Sequence, residues 1–197
     1  MFIKGVVSEY DIKMCNISIL RYKNIINNDE YNYYANLPKH KRNILLGLKR
    51  RDDKDLSSII DIGIKEIHDI WISKNNITED DIIEINHDAI WIAGIKSIKV
   101  KNINGVEMVN KQSYTSRLVV NKTIFYFNSI TGETCHRYLN PEIFSNDIIS
   151  LIYKILMFLE FDNMKSCYTT IHDFMVSKEL SVNEYDIMHE IINEINI

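Results

Sequence analysis

The chain is poor in glycine, proline and cysteine, and these shortages exclude several classes of site. Its 197 residues include six glycines, two prolines and three cysteines. With so few glycines and no Walker A or GxGxxG sequence, a glycine-rich phosphate-binding loop is excluded. Cys15, Cys135 and Cys167 are isolated and odd in number, so the sequence indicates neither a disulfide framework nor a structural zinc site. We interpret all three as free, reduced thiols.

Long apolar runs are also missing. No stretch approaches the roughly 20 apolar residues that a membrane-spanning helix needs. The first ten residues contain no apolar signal-peptide core before Glu9 and Asp11. The sequence therefore predicts a cytoplasmic protein with no membrane partner, acting in the host cytoplasm if a phage encodes it.

The charge is unevenly distributed along a chain of ordinary globular composition. The net charge is −4, and 46% of the residues are hydrophobic. Residues 39–54 carry seven Lys or Arg against two aspartates, whereas residues 141–197 carry three lysines against ten acids. This pattern predicts a basic body that binds nucleic acid and an acidic C-terminal region that binds a protein partner. The abundance of Ile, Asn and Lys indicates an AT-rich genome, either of a low-GC bacterium or of one of its phages.

Hydrophobic periodicity predicts an α+β fold. We expect a small, mostly antiparallel palm-like sheet with helices on one face, followed by a C-terminal helical bundle. The predicted division is a body at 1–140, including helices at about 38–73, and a helical region at 141–197. Within the body, residues 27–34 are expected to form a loop and 98–100 a strand, while 106–109 and 115–120 are expected to form two separate strands.

Two aspartates stand where a metal site is expected. Asp11 ends the first predicted strand just before a helix, and Asp88 lies in a predicted hairpin turn. Carboxylates from separate elements that meet at one point can hold the magnesium ions that phosphoryl transfer needs. The alternative interpretation is that Asp11 only ends a strand or caps a helix and that Asp88 is an ordinary turn residue.

These motifs resemble the palm and thumb of family B DNA polymerases in their order along the chain. The run Tyr10-Asp11-Ile12-Lys13 through Ile19-Leu20 is similar to the first palm motif. The run Asn86-His87-Asp88-Ala89-Ile90 resembles the hairpin motif Asp-Thr-Asp-Ser-Ile, with Asn86 in place of its first aspartate. The segment Lys111-Gln112-Ser113-Tyr114 is similar to the later Lys-x-x-Tyr segment. The helices at 38–73 stand where the fingers do, and those after 140 stand where the thumb does.

The resemblance implies a magnesium-dependent nucleotidyltransferase, a minimal relative of DNA polymerases. Asp11 and Asp88 would be the catalytic and metal-binding residues, with Mg²⁺ or Mn²⁺ as cofactor. Lys39, Lys41 or Arg42 would contact the nucleoside triphosphate, and Lys111 and Tyr114 would contact the primer or another acceptor. The alternative is a non-catalytic nucleic-acid-binding or phage assembly protein with a degenerate palm-like fold. The acidic thumb-like region argues against a processive polymerase, because contact with a nucleic-acid backbone normally uses Lys and Arg.

Overall fold

The computed structural model describes residues 2–94 and 96–195, which form seven α-helices and seven β-strands. The predicted α+β class, with an antiparallel sheet and a C-terminal helical region, is confirmed. The strands are β1 Phe2–Ile12, β2 Ile82–Asn86, β3 Ala89–Ala93, β4 Asn102–Ile103, β5 Val106–Val120, β6 Thr123–Phe127 and β7 Thr134–Arg137. The helices are α1 Cys15–Tyr22, α2 Asn28–Ala35, α3 Lys39–Asp52, α4 Asp55–Lys74, α5 Asn146–Glu160, α6 Met164–Ser177 and α7 Val182–Ile195.

Internal contacts divide the chain into two compact units. The central unit is Ser8–Gln112, and the terminal unit combines Met1–Val7 with Ser113–Ile197. The long strands β1 and β5 each contribute residues to both units. The boundary predicted at 140/141 falls inside the terminal unit, and a separate helical domain after it stays a prediction.

The central unit packs helices against a sheet in which β2, β3, β1 and β5 are neighbours in that order, and β4 pairs with β5. Helix α4 supplies one apolar face, because Leu56, Ile60, Ile67 and Trp71 recur at helical spacing and are all fully buried. These side chains join buried residues of α1, α3 and the strands in one core. This packing holds the end of β1 and the β2–β3 hairpin in fixed positions.

The terminal unit has a second hydrophobic core. Strand β6 pairs with β5 and with β7 in antiparallel register. The apolar side chains of α5, including Ile148, Ile152 and Ile155, pack with residues of β5, β6, α6 and α7. Helix α7 follows the predicted capping box, in which the Ser181 hydroxyl accepts from the Glu184 N–H and the Glu184 carboxylate accepts from the Ser181 N–H.

Three local predictions were wrong. The expected loop contains α2, which begins with a capping box between Asn27 and Glu30. The expected strand at 98–100 is irregular, and Asn75 binds its backbone instead, since the Lys99 and Val100 N–H groups donate to the Asn75 side chain. The two strands expected between 106 and 120 are one strand, β5.

Candidate functional site

Asp11 lies at the end of β1, and its two carboxylate oxygens have different surroundings. Its Oδ2 is 3.3 Å from Lys111 Nζ. Its Oδ1 is buried and has no hydrogen-bond partner within the described part of the chain. Burial, followed by the negative charge of Asp88, raises the pKa of Asp11, and the Lys111 ammonium opposes that rise. The ionised form of Asp11 is therefore less favourable here than in an exposed aspartate.

Asp88 lies in the turn of the β2–β3 hairpin, where His87 adopts the left-handed conformation with φ 48°. The Ile12 N–H donates to the Asp88 carbonyl at 3.0 Å, which fixes the turn beside the end of β1. His68 on α4 is almost fully buried and also hydrogen-bonds the Asp88 backbone. Burial lowers the pKa of His68, although the bond to Asp88 acts in the opposite direction. The predicted hairpin turn thus has contacts from a strand and from a helix.

Asp11 and Asp88 line one cavity of about 400 Å³ together with part of the basic helix α3. Lys39 and Arg42 line this cavity, as predicted substrate contacts would, and so does Arg50. The Arg50 Nη2 donates to the Asn16 side chain at 2.9 Å, which anchors α3 to α1. Lys41 is exposed and is not among the residues that line the cavity. The structure therefore brings both carboxylates and two of the three predicted triphosphate contacts to one place.

Lys111 is half exposed, and its ammonium group lies near two carboxylates. Its Nζ is 3.5 Å from Glu9 Oε1 and 3.3 Å from Asp11 Oδ2. Glu9 is completely buried and also accepts a hydrogen bond from the Gln112 side chain. Partial burial lowers the pKa of Lys111, but the two carboxylates outweigh it and the net pKa is raised. This pairing gives Lys111 a structural role, and its contact with a primer stays a prediction.

Tyr114 belongs to the terminal unit. Its side chain is buried, and its ring stacks on Tyr126 with centroids 4.9 Å apart and planes at 26°. The predicted acceptor contact of Tyr114 stays a prediction.

Replacing Lys111 with methionine is expected to destabilise the protein by about 1–3 kcal/mol, because Glu9 and Asp11 lose their nearby cation. This loss of stability is smaller than the loss expected for breaking a fully buried ion pair, because half of the Lys111 side chain is exposed. Urea denaturation would measure the loss, with Lys101→Met as the control at an exposed lysine of the same unit. Equal stability of the Lys111 and Lys101 variants would contradict the structural role.

Sequence reasoning missed Cys15 as a member of this site. Cys15 is in the first turn of α1, is buried, and lines the same cavity. Burial, followed by the charges of Asp88 and Asp11, raises the pKa of its thiol. One donor atom from each of Cys15, His87 and Asp88 lies within 4.8 Å of the other two. The available signal was the position of Cys15 only four residues after Asp11 in the sequence.

Comparison with known families identifies the chain. Residues 1–194 match the model of a family described as Bacteriophage PBS1 gene 130 protein. The chain belongs to this family. The predicted phage origin is therefore confirmed at the level of the family. No curated protein matches the chain.

The gene 130 family description names a phage gene product and no activity. The resemblance to family B polymerases, the metal site and the acidic partner-binding helices therefore stay predictions for this family member. No helix in the described residues is both long enough and apolar enough to cross a membrane.

Proposed function

We propose that this phage-family protein is a magnesium-dependent, palm-type nucleotidyltransferase that adds nucleotides to a nucleic-acid end. One observation carries the proposal. Two carboxylates, Asp11 at a strand end and Asp88 in a hairpin turn, share a cavity with the cationic residues Lys39, Arg42 and Arg50. A volume of about 400 Å³ is within the range of small-molecule sites, about 300–1,000 Å³.

The donor set is suited to a hard divalent cation. Magnesium prefers carboxylate oxygens and needs one or two of them, because phosphates and water complete its shell. The buried Oδ1 of Asp11 has no hydrogen-bond partner within the described residues, and a bound cation would satisfy it. When bound, Mg²⁺ or Mn²⁺ supplies charge neutralisation for the phosphates and activates the attacking oxygen.

The side chains around the carboxylates have separate roles in this proposal. Lys39, Arg42 and Arg50 bind and orient the triphosphate, whose charge increases on the leaving pyrophosphate. Lys111 orients Asp11 through its contact at 3.3 Å. The acceptor hydroxyl oxygen displaces pyrophosphate from the α-phosphorus, and its proton passes to solvent.

A nucleotide-incorporation assay tests the proposal. Purified protein would receive each nucleoside triphosphate, Mg²⁺ or Mn²⁺, and labelled primers with and without a template. We expect extension that needs metal and disappears in Asp88→Asn. The control is Asp186→Asn, at an exposed aspartate of α7, which should extend normally.

Absence of extension under every metal, from protein with normal circular dichroism, would contradict the nucleotidyltransferase proposal. Binding of the same primers by that protein would then support the alternative of a non-catalytic nucleic-acid-binding protein. Loss of primer binding with rising salt would show that the contact is electrostatic, as binding through the basic residues of α3 would be.

A further inference from the structure

The same cavity contains a second donor set that differs chemically from a magnesium site. Cys15, His87 and Asp88 offer one sulfur, one nitrogen and one oxygen, all within 4.8 Å of one another. Magnesium disfavours sulfur and imidazole ligands, whereas zinc binds thiolate, imidazole and carboxylate together. Zinc sites with three protein ligands keep a fourth position open for water or substrate. We propose that Cys15, His87 and Asp88 bind a thiophilic divalent cation such as Zn²⁺.

The spacing of the donors allows this coordination after small side-chain rotations. Donors around a tetrahedral zinc, at bond lengths of about 2.0–2.3 Å, are about 3.5 Å apart. His87 can make the adjustment because its side chain is 54% exposed and its contacts with Asp61 and Asp88 are 3.7 and 3.9 Å. Both contacts are longer than hydrogen bonds, so they do not fix the ring.

The surroundings of His87 suit a metal-binding imidazole. Nδ1 is the ring nitrogen nearer Asp88, and Nε2 is the one nearer Asp61. A histidine that binds metal through one nitrogen almost always donates from the other to a carboxylate, carbonyl or water. With Nδ1 on the metal, the Nε2–H would donate to Asp61, which would orient the ring. Asp61 therefore acts as a positioning residue in this proposal.

The proton balance of binding is simple. The cation takes the place of the Cys15 thiol proton, which passes to solvent, while His87 binds as the neutral imidazole and Asp88 as the carboxylate. This inference does not rest on the proposed function, because metal binding needs no nucleotide. If the chain also uses Mg²⁺ at Asp88, both cations would need the same carboxylate, and Zn²⁺ would inhibit extension.

Cobalt substitution tests the site directly, because a Co²⁺–thiolate bond gives a near-ultraviolet charge-transfer absorption that oxygen-only sites lack. Full-length protein would be titrated with Co²⁺ in the presence of excess Mg²⁺. We expect one Co²⁺ per chain with this absorption, lost in Cys15→Ser and retained in Cys135→Ser. Zn²⁺ should displace the cobalt, and calorimetry should show about 10-fold weaker Zn²⁺ binding for Asp61→Asn.

His87→Asn keeps the test decisive if Cys15→Ser does not fold. His87 is exposed, and asparagine tolerates its positive φ, so folding should be unaffected. Weaker binding of Co²⁺ and Zn²⁺ by this variant would support the site. Absence of a thiolate absorption in the original protein, or its persistence in folded Cys15→Ser, would overturn the proposal.

Discussion

Replacing Asp11 with asparagine is expected to abolish metal-dependent nucleotide incorporation and yet leave the metal-free protein at least as stable as the original. The loss of activity should be about 10³-fold or more, which corresponds to about 4 kcal/mol of transition-state stabilisation. Asparagine has nearly the same shape as aspartate, so the strand end and its packing should be unchanged. The variant therefore removes the negative charge of Asp11 without changing the packing of its side chain.

The stability of the metal-free protein should depend on pH in a defined direction. Burial and Asp88 raise the pKa of Asp11 in the folded protein above the ordinary value of 3.8. A carboxyl whose pKa is raised by folding stabilises the folded protein when the pH is below its pKa in the unfolded chain. That stabilisation is lost as the pH rises through its pKa in the folded protein. At neutral pH the ionised Asp11 therefore lowers the free energy of unfolding relative to a residue without this charge, and Asp11→Asn removes that loss of stability. The advantage of the variant should increase upwards from about pH 4 and then become constant.

Urea denaturation between pH 4 and 8 in a metal chelator would measure this dependence, with Asp186→Asn as the control. Adding Mg²⁺ should reverse the order, because a cation that binds only the folded state stabilises the original protein and not the variant. A less stable Asp11→Asn protein at neutral pH in the chelator would contradict the argument. So would equal stabilisation of both proteins by Mg²⁺.

The sequence predicted the positions of the two aspartates correctly because their signals are local. A strand that ends at a helix start and a turn between two β-rich runs can be recognised within a few residues. The meeting of Cys15 with Asp88 could not be recognised in this way, because they are 73 positions apart in the sequence. Their contact depends on the placement of β3 beside β1, which no local pattern specifies.

The polar middle of β5 is a second feature that depends on contacts between residues far apart in the sequence. Residues 110–113, which lie between the two strands expected at 106–109 and 115–120, are all polar. In the fold, the side chains of Lys111 and Gln112 contact the buried Glu9, so polar residues continue the strand where an apolar pattern was expected. By contrast, α2 carried a local signal, the Asn27–Glu30 capping box, and the error there came from giving more weight to its polar composition.

Replacing Trp71 with alanine is expected to destabilise the protein by about 3–5 kcal/mol, the usual cost of truncating a fully buried aromatic side chain. Trp71 is completely buried in the core of the central unit, and its ring centroid is 5.0 Å from that of Tyr10. The loss is a large part of the roughly 5–15 kcal/mol that stabilises a typical domain. Because Tyr10 directly precedes Asp11, the cavity left by the indole should also displace Asp11 and lower any metal-dependent activity.

Trp71→Phe separates the packing of this residue from its polar group. The indole Nε1 is buried and has no hydrogen-bond partner within the described residues, so removing its N–H recovers part of the desolvation cost. Trp71→Phe should therefore lower the stability clearly less than Trp71→Ala, because phenylalanine keeps a ring against Tyr10.

Urea unfolding followed by circular dichroism would measure the stability of both variants. The control is Ile130→Ala, at a side chain that is 87% exposed, and its stability should stay within about 0.5 kcal/mol of the original protein. Equal destabilisation by phenylalanine and alanine would contradict this argument, because a ring packed against Tyr10 would then add no stability.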